Sequence, residues 1–418
     1  MLGDFPIVPP NHGGKIRIYN VYKHLSKIYD ITYICFGNEG EKRETKITET
    51  FKEVRIPKSG LQKILELLVG KFLGVSVDDI MATFFCGINN KMKSEVKRYL
   101  KDCNLIILAQ PYLYPIIKNN ASDKILLYES QNVEYLLKKT ILGEGILGRF
   151  LLGKVRKNEE EVIDRSRIVF ATSSLDKDAF KEVYTLEDKR LYISPNGTNV
   201  SSFDALFENG MPIKEKIISR PIAIFVGSGH PPNVDAARII IRSIAPAMRD
   251  VYFLICGSVC WGVRNESLGN NVGLTFEVTE EEKLELYRSS DIALNPMQSG
   301  SGTNIKMMEY MAAGLPVIAT PTGARGLDLN STHSMICEVQ DFPEKIRGVL
   351  NDKRLYSTLS SNGRKLVEEK YDWRKIAKNM ADIFEKISSL SPYNSIILRP
   401  EECIVQNVDI MVICLHSS

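Results

Sequence analysis

The chemistry of this chain concentrates in residues 299–309, Ser-Gly-Ser-Gly-Thr-Asn-Ile-Lys-Met-Met-Glu. Gly300, Ser301 and Gly302 read as a turn that leaves backbone N–H groups facing outward. Thr303 and Asn304 are residue types that cap a helix start. A helix opening there adds the positive end of its dipole to the same spot, which favours an anion, a phosphate above all. Lys306 supplies a full positive charge one turn into that helix. Glu309 lies three residues further on, on the same face. A carboxylate there can accept from a pair of ribose hydroxyls, so phosphate and ribose would be held within one turn of each other. The same residues also fit a turn that only reverses the chain, because a lone glycine turn is weak evidence for phosphate.

The elements around the turn form a βαβ unit. Residues 292–294 read as a strand end, 305–313 as a helix, Gly314 as its stop and 315–319 as the next buried strand. The same grammar recurs elsewhere. Gly13 and Gly14 open a helix over 15–27. Gly227-Ser228-Gly229-His230-Pro231-Pro232-Asn233 follows an apolar strand at 221–226 and opens a helix at 234–244. Further strands are expected at 31–36, 51–56, 104–109, 124–128, 168–171, 191–194, 251–256, 271–276 and 336–339, and a helix at 61–73. Repeated strand–turn–helix units predict an α/β protein of two doubly wound, parallel-sheet domains, with ligands at the carboxyl ends of the strands. The expected divisions are 1–200, a polar linker within 199–219, a second domain at 215–375, a helix over 374–390 and a tail at 391–418. The tail holds an apolar, β-prone stretch at 409–415 to which no function attaches.

From Gly300 to Ala319 the chain resembles the donor-site motif of the GT4 family, the retaining glycosyltransferases of group 1 type with the GT-B fold. Gly300, Gly302, Thr303, Lys306 and Glu309 match a G-x-G-T-x-x-K-x-x-E branch of it, and Met311-Ala312-Ala313-Gly314-Leu315-Pro316-Val317-Ile318-Ala319 continues the pattern. Ser301 stands where much of the family has a glutamate that contacts the donor sugar. The resemblance spans residues 2–386 and is more specific in the second half. It implies two Rossmann-like domains facing a central cleft. It also implies transfer of a sugar from a nucleotide-diphosphate donor to an acceptor hydroxyl with retention, in polysaccharide or glycolipid assembly, with no cofactor or metal besides the donor substrate.

On the donor side the resemblance places Gly13, Gly14, Gly227, His230, Ser301, Gly302, Thr303, Asn304, Lys306 and Glu309. The family's Gly-Gly loop, followed by an arginine matched by Arg17, faces the donor phosphates across the cleft. On the acceptor side it places Gln131, Asn132 and Glu134. Lys306 and Gln131 are the residues expected nearest the reaction, but Gln131 replaces the family's histidine, and a glutamine is no base near neutral pH. Pro195-Asn196-Gly197 resembles the end of the family's first domain, and Tyr371-Asp372-Trp373 the start of its crossing C-terminal helix. The family's full first strand is represented only by the few residues after Met1.

With 418 residues, 44% hydrophobic and 25% charged, the chain suits two globular domains of ordinary size. A net charge of +3 is too small to argue for nucleic acid. The eight cysteines are scattered, and Cys256 and Cys260 have no His/Cys cluster beside them, so free thiols in a reducing compartment are expected. The aspartates of Asp176-Lys177-Asp178 read as first-turn helix acids rather than as a metal motif. The sequence has neither an apolar run of membrane-spanning length nor a signal-peptide pattern, and a cytoplasmic location is expected. Residues 138–157 carry six basic residues against one acidic, mixed with Ile141, Leu147 and Phe150. That stretch could lie on an anionic membrane surface or pack on the sheet as an ordinary amphipathic helix pair. The expected partners are a nucleotide sugar and a saccharide or lipid-linked acceptor. Ser301, Gln131 and the short first strand keep a second reading open, a non-catalytic nucleotide-sugar-binding partner of another glycosyltransferase.

Overall fold

Strands such as Leu-Ile-Ile-Leu at Leu105–Leu108 and Ile-Val-Phe-Ala at Ile168–Ala171 are unbroken apolar runs. Apolar side chains on both faces of a strand require cover on both, which is the condition of a parallel sheet between helix layers. The computed structural model describes residues 1–11, 13–208, 211–212, 218–300 and 302–389. Ser301 and the 391–418 tail, with its apolar stretch at 409–415, lie outside the described residues.

The first lobe holds β1 (Ile31–Gly37), β2 (Arg43–Lys46), β3 (Phe51–Pro57), β4 (Leu105–Leu108), β5 (Ile125–Glu129), β6 (Ile168–Ala171) and β7 (Leu191–Ile193). They run in the orders β1-β3-β2 and β4-β5-β6-β7. Leu2 joins the two sets, bridging in parallel to Ile34 of β1 and to Leu108 of β4. Its N–H donates to Ile107 O at 2.9 Å, and its carbonyl accepts from Ala109 N–H at 2.9 Å. The expected short first strand is therefore a single bridging residue. All pairings are parallel except β2 with β3. β2, Arg-Glu-Thr-Lys, is a polar edge strand without the apolar run by which the others are legible.

A short hairpin, β8 (Phe207–Glu208) and β9 (Met211–Pro212), falls in the expected linker. The second lobe holds β10 (Ile222–Val226), β11 (Tyr252–Cys256), β12 (Val272–Leu274), β13 (Ile292–Asn295), β14 (Val317–Ala319) and β15 (Met335–Ile336). Their order is β12-β11-β10-β13-β14-β15, all parallel. The chain runs outward from β10 to β12, then returns to lay β13 on the other side of β10. Ligands in such sheets bind at the strand ends where the order reverses, here the ends of β10 and β13.

The helix Trp373–Ser389 leaves the second lobe and packs on the first. Trp373, Ile376, Met380 and Phe384 are buried with Tyr22, Leu25 and Phe170. At the crossing, Thr198 N–H donates to Tyr371 O at 2.8 Å and Trp373 N–H to Thr198 O at 3.2 Å. A Cβ at Gly197 would stand 2.5 Å from Tyr371 O, so only glycine allows the chain to approach this closely. The Pro195-Asn196-Gly197 and Tyr371-Asp372-Trp373 motifs, far apart in sequence, thus form one junction. Among the described residues no helix is long and apolar enough to cross a membrane.

Candidate functional site

In the second lobe, β13 leads through the glycine turn to the helix Ile305–Ala312. Gly300 (φ 123°) and Gly302 (φ 71°) occupy the left-handed region that side-chain-bearing residues avoid. Asn304 is the N-cap residue, but its side chain does not cap the helix as its type predicts. Its Nδ2 donates instead to Gly323 O at 2.9 Å, because the turn after β14 brings that carbonyl within reach. Thr303 packs against Gly326, whose Cβ position would be 2.5 Å from Thr303 Oγ1. The positive pole of the helix therefore keeps its first N–H groups uncovered by a side-chain acceptor.

Lys306 reaches from this helix to the end of β10. Its Nζ donates to Asn233 Oδ1 at 2.6 Å and stands 4.4 Å from the centroid of the Phe225 ring. Burial lowers its ammonium to about 7. Gly227 is buried at the end of β10, and His230 is exposed at the N-cap of the helix Pro231–Ile239, making no capping bond. One turn beyond Lys306, Glu309 accepts from Tyr287 Oη at 3.0 Å, and Lys283 Nζ stands 3.6 Å from its other oxygen. Burial opposes the Lys283 ammonium, but Glu309 and Glu280 outweigh it and hold its pKa above the ordinary lysine value. Tyr287 and Lys283 lie four residues apart on the helix Glu280–Ser289, so they share a face. That spacing was visible in the sequence; its target was not.

The first lobe meets this turn from the other side. A Cβ at Gly13 would be 3.9 Å from Ile305 Cδ1, and one at Gly302 would be 3.9 Å from Asn132 Oδ1. Gly14 lies against Gln131, whose Oε1 would be 2.3 Å from an added Cβ. Gly13, Gly14, Gln131, Asn132, Gly302 and the start of the Ile305–Ala312 helix are thus drawn together from three distant segments. Gln131 Nε2, Asp4 Oδ1 and Gln110 Oε1 are buried polar atoms without a hydrogen-bond partner. Asp4 and Gln110 each follow the Leu2–Leu108 bridge by two residues. They therefore lie at the carboxyl edge of the sheet, near the strand end that carries Gln131. Neither Asp4 nor Gln110 sits in a motif, so only the register reveals them.

Three expectations need correction. Arg17 does not face the cleft. It is 1% exposed, pairs with Glu129 (Nε to Oε1, 3.1 Å) and donates to Ser194 Oγ at 3.0 Å and Pro195 O at 2.6 Å. Its position on the helix Gly13–Leu25 points it into the sheet, where Glu129 needs a counter-charge. Glu134 is buried rather than open to an acceptor. It is 4% exposed, accepts from Tyr112 Oη at 2.7 Å, and burial raises its carboxyl to about 7 against the pull of Lys138. Lys138, expected in a basic surface stretch, is buried in an ion pair with Asp79. The rest of that stretch is the helix pair Glu134–Ile141 and Ile146–Arg165, with Leu142, Leu151 and Val155 packed into the core. Asp176, by contrast, is a first-turn residue whose Oδ2 accepts from the Thr172 and Ser173 hydroxyls.

Residues 220–352 match the family described as glycosyl transferases group 1. Over 399 residues the chain is 21% identical to an uncharacterized 44.6 kDa protein from the cps region of Klebsiella pneumoniae, covering 88% of this chain and 95% of that one. Sucrose-phosphate synthase from Thermosynechococcus elongatus superposes with a TM-score of 0.66 at 16% identity, over 93% of this chain and 99% of that chain. Anabaena HepE, solved in complex with UDP-glucose, superposes with a TM-score of 0.59 at 12% identity, over 92% and 98% of the two chains. The chain has the GT-B fold, and its second lobe carries the match to the group 1 glycosyl transferases.

Proposed function

We propose that the protein is a glycosyltransferase of the retaining GT4 type, which moves a sugar from a nucleotide-diphosphate donor to an acceptor hydroxyl in polysaccharide or glycolipid assembly. The observation that carries this reading is the convergence on one cleft of an uncapped helix start, Lys306 and Glu309 from the second lobe with the Gly13-Gly14 loop from the first. The solved complex of HepE with UDP-glucose shows that a protein of this fold takes such a donor. The backbone N–H groups at Gly302–Asn304, the helix dipole and Lys306 would bind the diphosphate, and Glu309, oriented by Tyr287, the ribose. Gly227 and His230 border this donor site.

In the reaction, the bond between the sugar's anomeric carbon and the terminal phosphate oxygen breaks. The acceptor oxygen bonds to that carbon on the same face, and the acceptor's proton passes to the departing phosphate oxygen. The main task is to stabilise charge growing on that diphosphate, and in this reading the chain's own N–H groups and Lys306 do so without a metal. Gln131 and Asn132 would hold the saccharide or lipid-linked acceptor by hydrogen bonds. Cytoplasmic placement belongs to this reading, because buried free thiols such as Cys35, Cys86 and Cys256 suit a reducing compartment.

The test is a thermal-shift screen against UDP, GDP, ADP and their sugars, followed by a donor-turnover assay with the nucleotide that binds. Stabilisation by one nucleotide, with turnover of its sugar, is the expected result. Binding without turnover would leave a nucleotide-sugar-binding partner protein, and no binding would remove the donor site altogether.

A further inference from the structure

The helix Gly60–Leu73 turns Gln62 and Glu66 inward together with Leu65, Val69 and Leu73 and leaves a second apolar row outside. Gln62 and Glu66 are buried at 0% and 8% exposure, while Leu61, Ile64, Leu67, Leu68 and Phe72 stand 56–77% exposed. Most of the inward polar side is paired, with Gln62 Oε1 left without a partner: Lys58 Nζ lies 2.8 Å from Glu66 Oε2, and Gln62 Nε2 donates to Glu66 Oε1 at 2.9 Å. The helix is well ended, with Ser59 Oγ accepting from Gln62 N–H at 3.1 Å and Gly74 in the left-handed region at φ 71°. The apolar row is therefore a built surface of an ordered helix.

The charged side chains on the exposed face of that helix have one sign, and the exposed Asp78 of the next helix lies 3.7 Å from Lys58 Nζ. The exposed face carries Lys63 and Lys71, and Glu66, the only carboxylate of the helix, is turned inward. Lys63 Nζ donates to the Asn38 carbonyl, which is a neutral partner. The neighbouring helix Asp78–Phe85 packs beside it and, with the turn that follows, adds Phe84 and Ile88, both exposed. Through the Lys138–Asp79 pair that helix adjoins residues 134–165, where Ile146 is 85% and Phe150 53% exposed and Lys139, Arg149 and Lys154 face outward.

Protein–protein interfaces are depleted in lysine at their apolar centres. A helix lying in a bilayer surface shows the opposite pattern, an apolar face bordered by basic side chains whose stems reach up to the phosphates. Fourteen residues make a helix of about 21 Å, which is too short to span a hydrocarbon core of about 30 Å but suited to lie along its boundary. We propose that the face made by Leu61, Ile64, Leu67, Leu68 and Phe72 docks on an anionic lipid bilayer, with Lys63 and Lys71 against the lipid phosphates. The 138–157 stretch forms a flank of this surface rather than its centre. The inference does not depend on the sugar-transfer reading.

Flotation of the full chain with vesicles tests it. The wild type should float with phosphatidylcholine vesicles containing phosphatidylglycerol, and much less with phosphatidylcholine alone. Leu67→Gln/Phe72→Gln, which alters exposed side chains only, should lower partitioning at least about tenfold with an unchanged melting temperature. Lys63→Gln/Lys71→Gln should lower it about fivefold per lysine, as about 1 kcal/mol per basic residue implies, and weaken its salt dependence. Wild type that stays with the pellet overturns the proposal. So does equal flotation of the Leu67→Gln/Phe72→Gln variant, or a concentration-dependent dimer that this variant abolishes. Nucleotide binding in the second lobe is read separately, so its loss cannot be confused with loss of lipid binding.

Discussion

Lys306 Nζ donates to Asn233 Oδ1 at 2.6 Å, although the two residues are 73 positions apart. An amide and the Phe225 ring hold this ammonium, and among the described residues it forms no ion pair with a carboxylate. Burial outweighs the pull of Glu309 and lowers this ammonium to about 7, and a charge so weakly compensated is suited to an anionic ligand.

The first prediction concerns pH. A bound diphosphate favours the charged ammonium, so it raises the pKa of Lys306 above about 7. Below that pH the group is already charged and affinity should be flat. Above it, binding must take up a proton, and affinity should fall by up to about tenfold per pH unit. Calorimetric titration of the nucleotide in buffers of different ionisation enthalpy reads the proton uptake directly. Lys306→Met should bind more weakly and show no slope, whereas an unchanged slope in that variant would rule the group out.

Glu309 is held by Tyr287 at 3.0 Å and Lys283 at 3.6 Å. At a nucleotide concentration of 100 times the dissociation constant, wild-type protein should gain about 2.7 kcal/mol of stability. Glu309→Ala should abolish most of the shift. Tyr287→Phe removes one hydrogen bond from the carboxylate and should weaken binding by about three- to tenfold. Wild-type affinity in Glu309→Ala would end the ribose assignment.

Gly14 and Gln131 should be energetically coupled. Gly14→Ala sets a Cβ 2.3 Å from Gln131 Oε1, so the glutamine must move and both melting temperature and turnover should fall. Gln131→Ala removes that oxygen and should restore stability to the Gly14→Ala background. A coupling of about 0.5–3 kcal/mol in the double-mutant cycle is expected, and strict additivity would show that the contact is not made.

The Arg17–Glu129 pair should act as structure rather than as a donor contact. Arg17→Met leaves Glu129 buried without its counter-charge and should cost roughly 3–5 kcal/mol in urea unfolding. Adding Glu129→Gln should recover part of that loss. A variant of normal stability with lost nucleotide affinity would return Arg17 to the cleft.

Much of the fold was legible locally. Apolar runs such as Ile222–Val226 and glycine stops such as Gly314 are short-range signals, because burial on both faces and left-handed backbone each demand particular residue types. The residues of the 299–309 turn were readable for the same reason: N–H groups, a lysine and a glutamate at helical spacing suit an anion and a pair of hydroxyls, although the same residues also fit a turn that only reverses the chain. What those side chains touch was not legible. Tyr287 reaches Glu309 across 22 residues, and Arg17 reaches Glu129 across 112. Tertiary structure alone turned Arg17 and Glu134 inward and aligned Asp4 with Gln110 through the single bridge of Leu2. It also turned Gln62 and Glu66 of Gly60–Leu73 inward and left Leu61, Ile64, Leu67, Leu68 and Phe72 outside. Periodicity shows that a helix has two faces. Which face is buried depends on partners such as Lys58, whose ammonium must find Glu66 wherever the chain leaves it out of water.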